Sequence, residues 1–314
     1  MKDAYTLMKG ADESRCGVVL YARKVMRPTT ALVLFLCCFG RAPASVTLSS
    51  GLSATRTTIP VSFDGRRASC VLDTGSSAII LSPMLARYVG LVGERGTFEV
   101  APDGQTYADR ETRIPRFTVA GYLLRDIHAL ISSHLSGYSA LCGYDFFMRF
   151  PTLIDRERST VTLYPAASKF ARLHCLPVSL SPRVPLAKVE INGTWLSQIV
   201  LDSGMAGGGA LWDAVRSRLR NPLVSNAAYP MNRAGFDSGF SCGNSAVVRF
   251  AAGTPASSIP ICTEPGRPDG YNGIIETNLP GVHAMAVDYP HRRICFGLTN
   301  LTAAWARFNN LRSP

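Results

Sequence analysis

Short apolar runs separated by Gly-containing turns recur along this chain, and two of them are near copies. "IPVSFDGRRASCVLD" (59–73) alternates apolar and polar positions, turns at Asp64-Gly65 and returns through an apolar run to Asp73. "AKVEINGTWLSQIVLD" (187–202) does the same through Asn192-Gly193 to Asp202, with one more residue in the returning arm. Period-two alternation around Asp-Gly or Asn-Gly predicts a β-hairpin in each place. A second match follows: "GYDFFMRFPTLIDRERSTVTLYP" from Gly143 aligns without a gap on "ETNLPGVHAMAVDYPHRRICFGL" from Glu276, an offset of 133. Both copies read as strand, polar turn, strand. A repeat matched at its start and at its end implies two related lobes.

These patterns place a first lobe at 45–165 and a second at 183–298. Between them, 166–182 is rich in proline without periodicity and reads as a linker; 299–314 reads as a polar tail with a short helix at 302–308. Helical patterns follow each Asp phrase, at 82–91, with Ser82 as N-cap and Pro83 in the first turn, and at 211–223. Most of the remainder predicts strand, giving a mainly β protein with a few short helices.

Composition narrows the picture further. Hydrophobic residues make up 46% and charged ones 18%, a globular balance. The formal charge is +11, of which +4 lies in residues 1–44. The other basic residues are scattered, with no basic helix and no aromatic interleaving, so a solvated surface is expected and no nucleic-acid partner. Residues 1–44 read as a leader. Within it, 26–44 has Arg27, an apolar run from Ala31 to Gly40, then Ala42-Pro43-Ala44: the order of a secretory signal. The expected location is periplasmic or secreted, with either a released chain or an uncleaved signal anchor; the mature chain holds no membrane span. Beyond the leader six cysteines remain, an even number suited to disulfides outside the cytoplasm. Cys242 and Cys262, flanking one loop-rich stretch, are the favoured pair. No spacing of Cys and His builds a zinc site.

The chemistry lies in the paired Asp phrases. An apolar strand that ends in a carboxylate is costly unless the charge is paired or solvated. Gly75 and Gly204 permit tight turns after each Asp, and Thr74 and Ser203 offer hydroxyls to the opposite copy's backbone. If the lobes pack about a pseudo-two-fold axis, Asp73 and Asp202 meet at the seam and share one proton. One carboxylate then activates water and the other donates to a carbonyl oxygen. Other candidates read as ordinary structure: "FDSGF" at 236–240 lacks the preceding strand, Gly207–Gly209 lacks a phosphate-loop ending, and His128, His134, His174, His283 and His291 have no nucleophile context. Asp155 and Asp288 recur in the repeat as turn residues.

"VLDTGSS" and "VLDSG" resemble the active-site phrases of pepsin-like and retropepsin-like aspartic proteases, most closely the bacterial two-lobed exported type. The resemblance implies a bilobal pepsin-like β-barrel fold with a central cleft, and an aspartic endopeptidase that needs no cofactor or metal. Its partner would be a peptide or protein substrate, and the chain a monomer. It further implies Asp73 and Asp202 as the catalytic dyad, Thr74 and Ser203 as the cross-lobe supports, and Ser76 as a hydrogen-bond donor to the outer oxygen of Asp73. Leu141-Cys142-Gly143 fits the segment that threads behind the first Asp loop. "TFEVAPDGQTYAD" fits the covering flap, with Asp103 and Gly104 in its turn and Tyr107 on the return strand. The second lobe departs from the pattern at Met205, which has no hydroxyl, and at Glu276, which stands where the first lobe has Gly143. These departures motivate the competing expectation of a non-catalytic binding or inhibitor module with a degenerate second lobe.

Overall fold

The computed structural model describes residues 45–52, 56–100, 106–137, 139–164, 170, 173–181, 183–206, 208–233, 240–250, 256–264 and 270–298. The leader, the tail, Gly207, residues 236–239 and the expected flap turn with Asp103 and Gly104 lie outside them. Among the described residues, no helix is long and apolar enough to cross a membrane.

Both expected hairpins form. Thr57–Phe63 pairs antiparallel with Arg66–Leu72, and Leu186–Ile191 with Thr194–Asp202. Their turns place two successive residues in the left-handed region: Asp64 and Gly65 at φ 47° and 84°, Asn192 and Gly193 at 47° and 77°. This backbone matches the twist of the flanking strands, and Asp, Asn and Gly tolerate it best. The additional residue in the second arm becomes a β-bulge. The register shifts between Ala187 and Val189, and Gln198 opposite takes φ 60°.

Each Asp strand then gains a parallel neighbour from much later in its lobe. Val71 and Leu72 pair with Leu141 and Cys142, while Ile199 to Asp202 pair with Gly273 to Glu276. These neighbours are buried along their whole length, as strands covered on both faces must be. Ile79–Leu81 and Gly209–Trp212 close the pattern on the other side. The hairpin and its parallel partner nucleate an eight-stranded sheet in each lobe.

A third sheet, of six strands, joins the lobes. At its centre Thr152–Asp155 pairs antiparallel with the strand Val282–Asp288, Thr152 against Val287 and Ile154 against Met285. The sequence offset of 133 carries 152 to 285 and 154 to 287. Exchanging the two lobes therefore leaves this register unchanged, and the pseudo-two-fold axis passes between Leu153 and Ala286. Both lobes belong to one compact unit. The architecture is mainly β, with two related lobes and few short helices: a bilobal pepsin-like fold.

Two sequence expectations change. The helix expected over 211–223 is reduced to Asp213–Arg216, because Leu211 and Trp212 are taken by a strand that pairs with Thr263 and Glu264. The stretch read as linker contributes His174–Pro177, the edge strand of the joining sheet. Its Pro177 is tolerated at an edge. The helix Pro83–Val89 follows expectation, Ser82 Oγ accepting the Leu85 N–H at 3.0 Å.

Two disulfides are defined, Cys70–Cys142 and Cys175–Cys295. The first ties the strand leading to Asp73 to the parallel strand behind it. The second fastens the edge strand to Arg293–Leu298. Cys262 is also disulfide-bonded; the side chain of Cys242, its expected partner, lies outside the described residues. Disulfides are compatible with an exported protein.

Candidate active site

The two hairpins deliver Asp73 and Asp202 to opposite sides of the lobe seam. Both are held by the backbone of their own loops. Gly75 N–H donates to Asp73 Oδ1 at 2.9 Å, and Gly204 N–H to Asp202 Oδ1 at 2.7 Å. The loops interlock beneath them. Thr74 Oγ1 donates to Leu201 O at 2.7 Å and accepts the Ser203 N–H at 2.9 Å. Ser203 Oγ donates to Leu72 O at 2.8 Å and accepts the Thr74 N–H at 3.0 Å. Each hydroxyl thus satisfies one donor and one acceptor of the other lobe, in a region closed to solvent.

The approach leaves no room for side chains on the loops. A Cβ at Gly75 would stand 2.6 Å from Asp202 Cγ, and one at Gly204 2.3 Å from Asp73 Cγ. The glycines are there because each carboxylate sits directly over the opposite loop. The Asp73 and Asp202 side chains share a hydrogen bond. Burial holds the Asp73 carboxyl well above the usual carboxylate range, aided by the Asp202 charge and that shared bond. The N–H groups of Gly75 and Ser76 oppose the shift without cancelling it. Asp73 is buried, whereas Asp202 keeps partial access to solvent.

Residues 59–149 match the model of the gag-polyprotein putative aspartyl protease family. The matched segment of this lobe is similar to retropepsin-like aspartyl proteases. No curated protein matches the chain. The matched segment carries the first Asp loop and the strand behind it; the second lobe builds the same strand pattern around Asp202.

The first lobe differs from the sequence reading at Ser76. Its hydroxyl donates to Ala78 O at 2.9 Å, while its backbone N–H is what supports the Asp73 carboxylate. Met205 makes the equivalent contact, its N–H reaching Asp202 Oδ1 at 3.0 Å. A hydroxyl is therefore not needed there, and the Met205 side chain is fully buried in the core. At Gly143 a Cβ would strike Ser76 O and Ala78 O at 2.3 and 2.4 Å. The second lobe accommodates Glu276 in the same register because its loop is longer: six steps separate Asp73 from Ile79, seven separate Asp202 from Gly209, which pair equivalently. Glu276 then grips that loop, its N–H donating to Gly208 O at 2.9 Å and its Oε2 accepting Gly208 N–H at 2.6 Å.

Of the expected flap, Arg95–Val100 and Thr106–Val119 pair antiparallel, with Glu99 opposite Tyr107. The Tyr107 side chain lies outside the described residues. Tyr289 has no counterpart in the sequence reading. It is buried below the dyad, its hydroxyl donating to Thr74 O at 3.1 Å, and burial and the two Asp charges raise its phenol well above the ordinary range. Its position follows directly after a repeated strand, but its contact spans 215 residues, so no local pattern announces it. Asp155 and Asp288 stay outside the site. Asp155 accepts from Arg158 across a turn, and Asp288 pairs with His291 and Arg293.

Proposed function

We propose that the chain is an exported aspartic endopeptidase that hydrolyses peptide bonds with water activated by the Asp73/Asp202 dyad. The observation that carries this reading is the interlocked pair of loops, which hold two carboxyls in mutual hydrogen bond while Asp73 resists ionisation. Two carboxyls at that distance share a proton and titrate as a unit. Asp73, the more buried, keeps the proton and donates it to the scissile carbonyl oxygen. Asp202, the more open, takes a proton from the attacking water. The resulting gem-diol collapses as the leaving nitrogen is protonated, with no covalent intermediate. The Gly75, Ser76, Gly204 and Met205 N–H groups fix both carboxyls before substrate arrives, so little reorganisation accompanies the reaction.

The competing reading, a binding or inhibitor module with a degenerate second lobe, rested on Met205 and Glu276. Both positions retain backbone support for Asp202 or its loop, which favours the enzyme. Mature protein offered a peptide library from acidic to neutral pH should produce reproducible cleavage sites that a statine-type inhibitor blocks. Asp73→Asn and Asp202→Asn should each lower the rate at least ~1,000-fold, since loss of a member of a concerted unit costs most of its catalysis. Full hydrolysis in either variant would sink the dyad.

A further inference from the structure

The second lobe supplies two anchors to the first Asp loop, one on each peptide unit beside Thr74. Ser203 Oγ accepts the Thr74 N–H at 3.0 Å. The Tyr289 hydroxyl donates to Thr74 O at 3.1 Å. That carbonyl belongs to the same amide as the Gly75 N–H, which donates to Asp73 Oδ1 at 2.9 Å. A trans peptide is planar, with its C=O and N–H pointing to opposite edges. The Tyr289 hydroxyl, the Thr74–Gly75 amide and the Asp73 carboxyl therefore form one chain of hydrogen bonds, in which each bond polarises the next. Tyr289 is itself firmly held. Its ring is buried, with centroids 5.4 Å from Phe147 and 5.9 Å from Tyr144. Those two rings belong to the helix Tyr144–Phe147, whose first N–H donates to Ser76 O at 3.0 Å. The Tyr289 backbone lies in the turn that Asp288 fastens through His291 and Arg293.

We infer that Tyr289 is a positioning residue for Asp73: its phenol holds the Thr74–Gly75 amide from the far edge, so that the Gly75 N–H stays aimed at the carboxyl and donates more strongly. A general acid releases its proton as the substrate carbonyl takes it up, and negative charge grows on Asp73. A polarised N–H already in place meets that charge without reorganisation. The repeat offset of 133 puts Arg156, not a phenol, at the matching position of the first lobe. This support is therefore particular to Asp73. Its kinetic consequence rests on the protease reading, whereas the chain of hydrogen bonds stands without it.

The titratable groups facing Asp73 are Asp202 across the seam and the Tyr289 phenol from the turn. Glu276 lies beside Asp202 in the parallel strand pair. Behind Tyr289, the Tyr144 ring carries the Arg183 guanidinium, which donates to Asp145 at 2.6 Å. Tyr289→Phe keeps the ring packing and removes only the donor. It changes no charge, because burial holds the phenol neutral. The Gly75 amide proton should move upfield in NMR, and the Asp73 carboxyl carbon should titrate at higher pH than in wild type. The basic limb of kcat/KM should follow it upward, and kcat should fall about 3- to 10-fold, as for one lost buried hydrogen bond, with KM unchanged. Tyr289→fluorotyrosine, a stronger donor, should move the amide and the Asp73 titration the opposite way; it decides the matter alone if Tyr289→Phe does not fold. An unmoved Gly75 amide and Asp73 titration in the folded variants, or shifts of the same sign in both, would reduce Tyr289 to packing and overturn the inference. If the wild-type chain cleaves no peptide, the protease reading fails, while the amide and carboxyl signals still decide the role of Tyr289.

Discussion

At the residue scale, the site depends on hydroxyls that serve two lobes at once. Thr74 Oγ1 satisfies Leu201 O and Ser203 N–H together. Thr74→Val keeps the volume but strands both groups in a buried region, at about 1–3 kcal/mol for each. Urea unfolding should show Thr74→Val less stable by roughly 2–5 kcal/mol, with Thr74→Ser close to wild type. Asp73 makes a second prediction, in the opposite direction. Its raised pKa means that the folded chain holds a proton that the unfolded chain has released. Stability from this group is complete below the unfolded pKa of about 3.9 and is lost as pH rises through the folded pKa. Asp73→Asn should therefore raise Tm at pH 7 while abolishing activity, and the gain should fade toward about pH 4. A calorimetric series across pH checks the sign. A destabilised variant at neutral pH would contradict the burial argument.

At the element scale, the hairpins and the helix Pro83–Val89 were legible because their signals are local. Asp-Gly and Asn-Gly set the turns, and Ser82 with Pro83 set the helix start. Asp73, Asp202, Thr74, Ser203 and both glycines were legible because each sits within a short phrase. The Ser76 hydroxyl was misassigned because its choice of acceptor depends on where Ala78 O falls in the folded loop. Leu211 and Trp212 were misread as helix because a parallel partner from 263–264 overrides their local preference. The Cys70–Cys142 pairing had no local mark either, since six cysteines permit fifteen connectivities. That disulfide ties two strands of the Asp73 support, and Cys142 O accepts the Asp73 N–H at 3.1 Å. Replacing both cysteines by Ala should cost about 2–5 kcal/mol in urea unfolding and lower kcat through a loosened Asp73 loop.

At the scale of the whole molecule, the repeat made two lobes legible, but not how they join. The joining sheet needed a pairing between residues more than a hundred positions apart, and its edge strand came from a segment with no periodicity at all. Ile154 and Met285 are fully buried and oppose each other at the junction. Alanine at either should cost about 2–5 kcal/mol. The double variant should cost less than the sum by at least ~0.5 kcal/mol, because the two side chains share one neighbourhood. Additive midpoints in a double-mutant cycle would mean that the lobes are not coupled there.

A register that survives the exchange of its partners is what an isologous dimer makes: each edge offers the other the surface that it receives. The chain is, in this sense, a symmetric dimer with its two protomers sewn together. Two separate identical copies must change in step, since any substitution appears on both sides of the axis. A fused pair is free of that bond. One half can keep a glycine behind its loop and a tyrosine below it, while the other lengthens its loop and takes in a glutamate. Asymmetry in how the two acids are supported is available to this chain because it is one molecule and not two.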